Sequence, residues 1–203
     1  MTRREALLLT GGRLAHTVMA ARQTPALPRV TDQHYLRLYR DAQEARPAVL
    51  SSAARIAPSE EPGEPLQVVG TLIDTDGRTP ARNAVIFAYH TDVTGEYDRP
   101  GGGWRLKGWA RSNASGRFVF DTIRPAPYPD RSTPAHVHVC VEPGDGSRRT
   151  LKDVLFEGDP LLGASDIRAS KALGRFAYIC PVRRRDGRAT VDIALRLPGD
   201  YIF

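Results

Sequence analysis

Several features are scarce in this sequence of 203 residues, and each scarcity excludes a class of protein. Cys140 and Cys180 are the only cysteines, too few and too far apart for a zinc motif or a disulfide framework. No apolar run reaches the roughly 20 residues that a membrane-spanning helix needs, so we predict no integral membrane segment. The G-x-S-x-G motif is absent, and no serine, histidine and aspartate stand in a pattern typical of a hydrolase.

Lysine is also rare, so arginine supplies almost all of the positive charge behind a net charge of +6 and an isoelectric point of about 9.7. Such a balance suits nucleic acid, a membrane surface or small acidic ligands, and it is also typical of a solvated basic surface. The main basic cluster, Arg183–Arg185, precedes Asp186-Gly187, which predicts the turn of a hairpin. Because no stacked aromatics or groove-reading helix accompany it, we predict no nucleic-acid partner.

Residues 1–30 are predicted to form a signal-like or flexible N-terminal tail. Arg3 and Arg4 precede a short apolar stretch, a pattern that resembles a twin-arginine export signal. Arg13 and His16 interrupt the apolar region, which an efficient signal keeps free of polar residues. The pattern therefore leaves two locations open, the cytoplasm and export.

The rest of the chain predicts one domain preceded by a helical segment, because 41% hydrophobic content suffices for one good core. Residues 31–65 are predicted to form a helix and then a linker rich in proline and acids, with Asp32 as the helix cap. That helix can pack on the domain or form a subunit interface. The domain itself is predicted to span residues 66–203. One face of the helix carries Tyr35, Leu38, Tyr39 and Ala42.

Residues 66–203 read as short strands separated by turn signals, the pattern of an all-β, antiparallel β-sandwich. The turns contain glycine, which supplies backbone angles that other residues avoid. The predicted strands are 66–73, 84–90, 117–122, 136–141, 149–156, 176–182 and 189–195.

Two histidines and two tyrosines in this region predict a metal site. His136 and His138 lie two apart in the strand-like run HVHVCV, so both imidazoles point to one face. Tyr128 lies in the proline-braced turn PAPYPD, and Tyr97 follows a short polar loop. A His-x-His pair in a strand, or a single tyrosine in a turn, usually reflects ordinary side-chain packing when it occurs alone. Together, two phenolates and two neutral imidazoles suit a trivalent, oxygen-preferring ion, and ferric iron is the natural candidate.

The order and spacing of these residues resemble the intradiol ring-cleavage dioxygenase family. The matching pieces are AYHTDVTGEY, ARSNASGRFVFDTIRPAPYP, TPAHVHV and FEGDP, within residues 64–162. The resemblance implies that Tyr97, Tyr128, His136 and His138 are the ligands of a mononuclear, non-haem Fe(III). It also implies that O2 cleaves a catechol-type aromatic diol between its hydroxyls to a muconate-type diacid, with Tyr128 acting as both ligand and base.

The chain departs from the family pattern at three positions around the implied site. Thr133 stands where the family has an arginine that stabilises charge on the bound substrate, Asp153 replaces a glutamine, and Tyr89 replaces a common tryptophan. We therefore expect a remodelled substrate pocket that includes Tyr89, Asp130, Thr133 and Asp153. Asp130 and Asp153 disfavour a carboxylated catechol, because like charges repel at short range.

Two alternatives to catechol cleavage remain open from the sequence. One is an iron-bearing member of the family with a different oxidation or weak activity, because Thr133 and Asp153 change the groups around the site. The other is a non-catalytic sandwich that binds an aromatic compound or a sugar. The expected partners of the enzyme are a small aromatic diol and O2, and the expected assembly is a homo-oligomer, a dimer.

Overall fold

The structure, a computed structural model, describes residues 31–97, 103–185 and 187–202 of the chain. The predicted export signal with Arg3 and Arg4, and Asp186 of the last predicted turn, lie outside the described residues. No helix within the described ranges has the length and apolar character needed to cross a bilayer.

The described residues form twelve strands and two α-helices, with a 3-10 turn at Gly174–Phe176. The helices are Gln33–Glu44 (α1) and Ala164–Ala172 (α2). The strands are Ala53–Arg55 (β1), Pro65–Ile73 (β2), Val85–His90 (β3), Lys107–Arg111 (β4), Arg117–Ile123 (β5), His136–Glu142 (β6), Arg149–Thr150 (β7), Val154–Phe156 (β8), Ile179–Cys180 (β9), Arg183–Arg185 (β10), Arg188–Arg196 (β11) and Tyr201–Ile202 (β12).

These strands form two sheets that face each other across one core. The first sheet has the order β1-β5-β2-β11-β10, and the second has the order β12-β7-β6-β3-β4, with β8 and β9 continuing from β6. Alternate residues of the long strands point inward, as the two-residue period of a strand requires. The buried core between the sheets includes Leu66, Val68, Leu72, Ile86, Phe118, Phe120, Val137, Val139, Val141 and Val191. The predicted β-sandwich is therefore confirmed.

Strand β3 is buried on both faces because α1 covers the outer side of the second sheet. Tyr39 and Ala42 of α1 pack with Val85, Phe87 and other aromatic residues in a second apolar cluster. The predicted helix cap is present, since Asp32 Oδ1 accepts hydrogen bonds from the backbone amides of His34 and Tyr35, at 2.9 and 3.1 Å. The apolar face of α1 thus packs on the sandwich and is not left free to form a subunit interface.

The two sheets of the sandwich are mixed, because some of their strand pairs are parallel. Strands β2 and β11 pair in parallel over eight residues, and the pairs β1–β5 and β8–β9 are also parallel. Alternating burial shows which face a residue takes, but it does not show the direction of the neighbouring strand. The sequence also gave no signal for β1, which lies within the predicted 31–65 segment yet pairs with β5. The domain limits themselves stay predictions.

Two of the predicted strands differ in extent from the observed ones. The predicted strand 149–156 consists of β7 and β8, separated by Leu151–Asp153. The predicted strand 176–182 contains only the two residues of β9, preceded by the 3-10 turn. The last predicted hairpin is present as β10 and β11, and Arg183 and Arg184 are exposed as expected. Arg183 pairs with Asp192 and Arg184 pairs with Glu64.

His90, at the end of β3, links the two sheets through the core. Its side chain is fully buried, Nδ1 lies 2.7 Å from the carbonyl oxygen of Thr91, and Nε2 lies 2.6 Å from Oγ1 of Thr122 in β5. Because a carbonyl only accepts, Nδ1 carries the proton and Nε2 accepts from the threonine hydroxyl. Burial lowers the pKa of His90 to about 4, since the charged imidazolium is poorly solvated in the core.

We expect His90 to make the fold acid-sensitive. The pKa of His90 is about 4 in the folded state, against 6.5 for the free group. The contribution of neutral His90 to the free energy of unfolding is therefore complete above pH 6.5 and is lost as the pH falls towards 4. The loss should be on the order of 3 kcal/mol of unfolding free energy, from about 1.4 kcal/mol per pKa unit. Urea unfolding at pH 7 and pH 4 measures it in the wild type and in His90→Gln, whose amide cannot gain a proton. Equal acid losses in the two proteins would contradict this role.

Candidate metal centre

The four residues singled out in the sequence bring their donor atoms together in a closed ring. Tyr97 Oη lies 2.6 Å from Tyr128 Oη and 2.7 Å from His138 Nε2. His136 Nε2 lies 2.9 Å from His138 Nε2 and 3.3 Å from Tyr128 Oη. Residues that are 41 positions apart in the chain thus share one small volume on the outer face of the second sheet.

Strand β6 positions the two histidines by its alternation. Val137, Val139 and Val141 point into the core, so His136, His138 and Cys140 point to the opposite face, towards α1. The ring of Tyr89, which pairs with His138 across β3 and β6, stacks on that imidazole with centroids 4.6 Å apart and on Trp104 at 3.8 Å. Tyr89 therefore packs against the side of the site that faces the sheet, and Cys140 is a buried free thiol.

Each imidazole is oriented by the partner of its Nδ1 atom. His136 Nδ1 lies 2.7 Å from the carbonyl oxygen of Pro134, and His138 Nδ1 lies 2.9 Å from Asp153 Oδ1. Both acceptors require a proton on Nδ1, which leaves the lone pair of each Nε2 facing the two phenols. This is the arrangement that metal-binding histidines commonly have, with the second ring nitrogen held by a carbonyl or a carboxylate.

A β-bulge brings Asp153 to His138. Cys140 pairs with Thr150 and Val137 pairs with Val154, so the three residues Leu151–Asp153 lie opposite only two residues of β6. The extra residue interrupts the strand and turns the Asp153 side chain beside the imidazole. His136, His138 and Asp153 form a cluster with ligand atoms within 4.8 Å of one another. Because Asp153 bonds Nδ1 of His138, the nitrogen that points away from the other three donors, we assign Asp153 the role of orienting His138 and not that of a metal ligand.

Hydrogen bonds between two loops bring the tyrosines together. Thr91 Oγ1 donates to the carbonyl oxygen of Ala126 at 2.7 Å, and the Ala126 amide donates to the carbonyl oxygen of Asp92 at 3.0 Å. Gly95 has a φ of 85°, and a Cβ atom there would lie 2.2 Å from the carbonyl oxygen of Pro127. Only glycine allows this close approach of the Tyr97 loop to the Tyr128 turn.

Two further residues hold the site in place, and the sequence analysis missed both. Arg105 binds both carboxylate oxygens of Glu61, approaches Asp92 at 3.3 Å and donates its backbone amide to Tyr97 O at 3.0 Å. Asp159, in the FEGDP segment, accepts a hydrogen bond from the Ala135 amide just before β6. Single charged residues in loops carry no periodic signal, so only the fold reveals these contacts.

Two of the four predicted pocket residues lie at the surface, in the turn that follows Tyr128. Asp130 is exposed, and its carboxylate accepts the Ser132 amide at 2.9 Å. Thr133 is half-buried, with its hydroxyl 3.5 Å from that of Ser132. Neither contacts the ring of four in the described structure. Tyr89 and Asp153, the other two, both contact His138.

Burial favours the uncharged forms of Tyr97, Tyr128 and His136 until a cation binds. Burial raises the pKa of Tyr97 well above its ordinary value and also raises that of Tyr128, while burial lowers the pKa of His136. A bound cation reverses this preference, because it stabilises the phenolate form of its ligands. The site is therefore suited to bind a cation, and its two tyrosines are expected to release their protons when the cation binds.

The donor spacing fits a single transition-metal ion. Ligands at right angles around an ion with bonds of about 2.0–2.1 Å lie roughly 3 Å apart. The four observed distances between neighbouring donor atoms range from 2.6 to 3.3 Å and so bracket that value. Two phenol oxygens with two imidazoles form a hard, oxygen-containing set that suits ferric iron better than zinc. The residues present thus fit a mononuclear iron.

A family model described as a dioxygenase matches residues 43–189. The chain belongs to the intradiol ring-cleavage dioxygenase family. Chlorocatechol 1,2-dioxygenase of Rhodococcus opacus is 29% identical over 162 residues, which cover 70% of this chain and 59% of that protein. Catechol 1,2-dioxygenase 1 of Acinetobacter lwoffii is 32% identical over 128 residues, which cover 53% of this chain and 40% of that protein. The match thus spans only about half the length of these curated relatives.

Solved structures of this dioxygenase family share its fold. The dioxygenase domain of a fusion with a carbohydrate-binding protein from Streptomyces sp. SirexAA-E superposes with a TM-score of 0.57 at 23% identity, covering 75% of this chain and 92% of that one. The 3-chlorocatechol 1,2-dioxygenase of Rhodococcus opacus 1CP gives a TM-score of 0.55 at 17% identity, covering 81% and 77%. At these identities the likeness concerns the fold.

We expect the Asp153–His138 hydrogen bond to contribute to metal affinity. Asp153→Leu removes it and should weaken Fe(III) binding by about 10–100-fold, the usual effect of losing such a supporting partner. Asp153→Asn keeps a hydrogen-bond acceptor without the charge. Its Fe(III) affinity should lie between those of Asp153→Leu and the wild type. Competition with a chelator measures the affinity.

Asp130→Asn is the matched control, because it removes an exposed negative charge near Tyr128 whose carboxylate accepts the Ser132 amide and not a histidine nitrogen. It should change the iron affinity less than either Asp153 variant. A folded Asp153→Leu protein with wild-type iron affinity would rule out the supporting role.

Proposed function

We propose that this dioxygenase-family chain is a non-haem Fe(III) enzyme that cleaves a catechol-type diol with O2 to a muconate-type diacid. The observation that carries the proposal is the closed ring of two phenol oxygens and two imidazole nitrogens with edges of 2.6–3.3 Å. A binding module for an aromatic compound or a sugar would not need two tyrosines and two histidines converging through their metal-binding atoms.

Tyr97, Tyr128, His136 and His138 would hold the ferric ion. When bound there, the ion supplies a Lewis acid and a template that brings an ortho-diphenol and O2 together. Asp153 and the Pro134 carbonyl keep both imidazoles in the tautomer that leaves Nε2 free. The Tyr89 ring covers one face of His138 and excludes water from that side.

Tyr128 is the proposed base that accepts a proton from the substrate. It comes from a turn rather than a strand, and its hydroxyl contacts both Tyr97 Oη and His136 Nε2. Tyr128 Oη takes one proton of the diol as the substrate enters, while Tyr97 and both histidines stay in place.

A second candidate, weak cleavage or another oxidation at the same iron, is favoured by one observation. Thr133 stands where the family has a stabilising arginine, and no arginine lines the cavity beside His138 within the described ranges. A missing preorganised cation at a site of developing negative charge typically costs about 10²–10³-fold in rate. Another oxidation would give a different product, whereas weak cleavage would give the same diacid at a lower rate.

Incubation of the iron-loaded protein with catechol under ¹⁸O₂ tests the proposal. Intradiol cleavage places one labelled oxygen in each carboxyl group of a muconate, which mass spectrometry detects. A quinone without labelled oxygen would favour the second candidate. Iron-loaded protein that neither consumes oxygen nor changes catechol would overturn both.

Substitutions in the ring of four should abolish iron retention. Tyr97→Phe and His138→Ala each remove one ligand, and we expect the iron content after dialysis to fall at least tenfold from near one per chain. His34→Ala is the matched control, since the exposed His34 side chain on α1 bonds only Arg37 among the described residues and lies outside the ring of four. Metal analysis of the folded variants gives the stoichiometry. Unchanged iron in Tyr97→Phe or His138→Ala would refute the ligand assignment.

The predicted dimer and the cellular location stay predictions. The described structure contains a single chain, and the residues of the predicted export signal lie outside it.

A further inference from the structure

A cavity of about 560 Å³ opens beside His138, between α1, β3 and the bulge that precedes β8. Its apolar walls are the side chains of Tyr35, Tyr89, Leu155 and Tyr178. Leu155 points into it because its neighbours Val154 and Phe156 are fully buried in the core on the opposite face of β8. An apolar cavity of about 150 Å³ already accommodates benzene, so this space exceeds the needs of a bare catechol ring.

The cavity is continuous with the proposed iron site. His138 and Asp153 belong to its wall and are hydrogen-bonded to each other. Ligand atoms of Asp153, His138 and His136 all lie within 4.8 Å of one another. Tyr89 also lines the cavity while it stacks on His138. A diol held at the ring of four thus lies within one side-chain length of the cavity.

The charge of the cavity is opposite to that of the whole chain. Among the residues that the structure describes, its wall contains Asp32, Asp153 and Asp200 but only one cation, Lys152, which is already paired with Asp200 at 3.1 Å. The three carboxylates and the one lysine together carry a net charge of −2, within a chain of net charge +6. A carboxylate placed in this cavity meets repulsion, with no free cation to offset it in the described part of the wall, whereas an apolar or ammonium group does not.

We propose that this cavity receives the ring substituent of the substrate and selects catechols with an uncharged or cationic side chain over carboxylated ones. The proposal rests on the proposed catechol-cleaving function and names its substrate class. The tyrosine walls suit both an alkyl chain and an ammonium group, because aromatic faces attract cations. Asp130, which the sequence placed near the metal, takes no part, since it does not line this cavity.

A matched series of catechols tests the selectivity. The iron-loaded protein is titrated without oxygen with plain catechol, 4-ethylcatechol, dopamine and 3,4-dihydroxyphenylacetate, and the change of its visible colour gives each Kd. We expect 4-ethylcatechol and dopamine to bind at least as tightly as catechol, and dihydroxyphenylacetate on the order of tenfold more weakly.

Variants of the wall separate shape from charge. Leu155→Trp fills the cavity and should weaken the binding of the substituted catechols severalfold more than the binding of plain catechol. Leu155→Ala should not weaken the binding of the substituted catechols in this way. Asp200→Asn frees Lys152 and should narrow the discrimination against dihydroxyphenylacetate severalfold. Asp192→Asn is the control for net charge, because Asp192 lies exposed on β11 and pairs with Arg183, outside the cavity.

The outcomes distinguish this inference from the proposed function. Failure of the iron-loaded protein to bind any of the four catechols overturns the proposed function. Tight binding of plain catechol with equal affinity for all side chains overturns the selectivity alone. Equal rejection of every substituted catechol also overturns it, and indicates that another part of the chain occupies the cavity.

Discussion

The two-residue alternation of β6 is the constraint on which the site depends. Its valines are committed to the core between the sheets, so His136, His138 and Cys140 must point to the face beneath α1. A shift of one residue would exchange the two sets and place two imidazoles in an apolar core. The stability of the sandwich therefore fixes the direction of both histidines before any metal binds.

The rest of the site is built around this strand by contacts that suit a buried cation. The bulge opposite β6 supplies Asp153 to His138, and the paired loops bring Tyr97 and Tyr128 over the imidazoles. Burial keeps the phenols protonated in the absence of a cation. The fold thus positions the two phenols in their neutral form. A bound ion would then favour their charged phenolate form.

The sequence predicted the sandwich, the capped helix and the convergence of the four donor residues. It did so because alternation, turn glycines and the spacing of Tyr97, Tyr128, His136 and His138 are local signals. It failed for the parallel β2–β11 pair, since strand direction depends on long connections. It also missed Arg105 and Asp159, whose partners lie far away in the chain.

The visible absorption spectrum of the iron-loaded protein, before and after anaerobic addition of catechol, tests the central claim most directly. If two tyrosinates hold ferric iron in the ring of four, the protein is red-brown with near-equimolar iron, and its band shifts when catechol binds. A protein that stays colourless and iron-free after reconstitution with iron would contradict the account, because the four converging residues would then hold no metal.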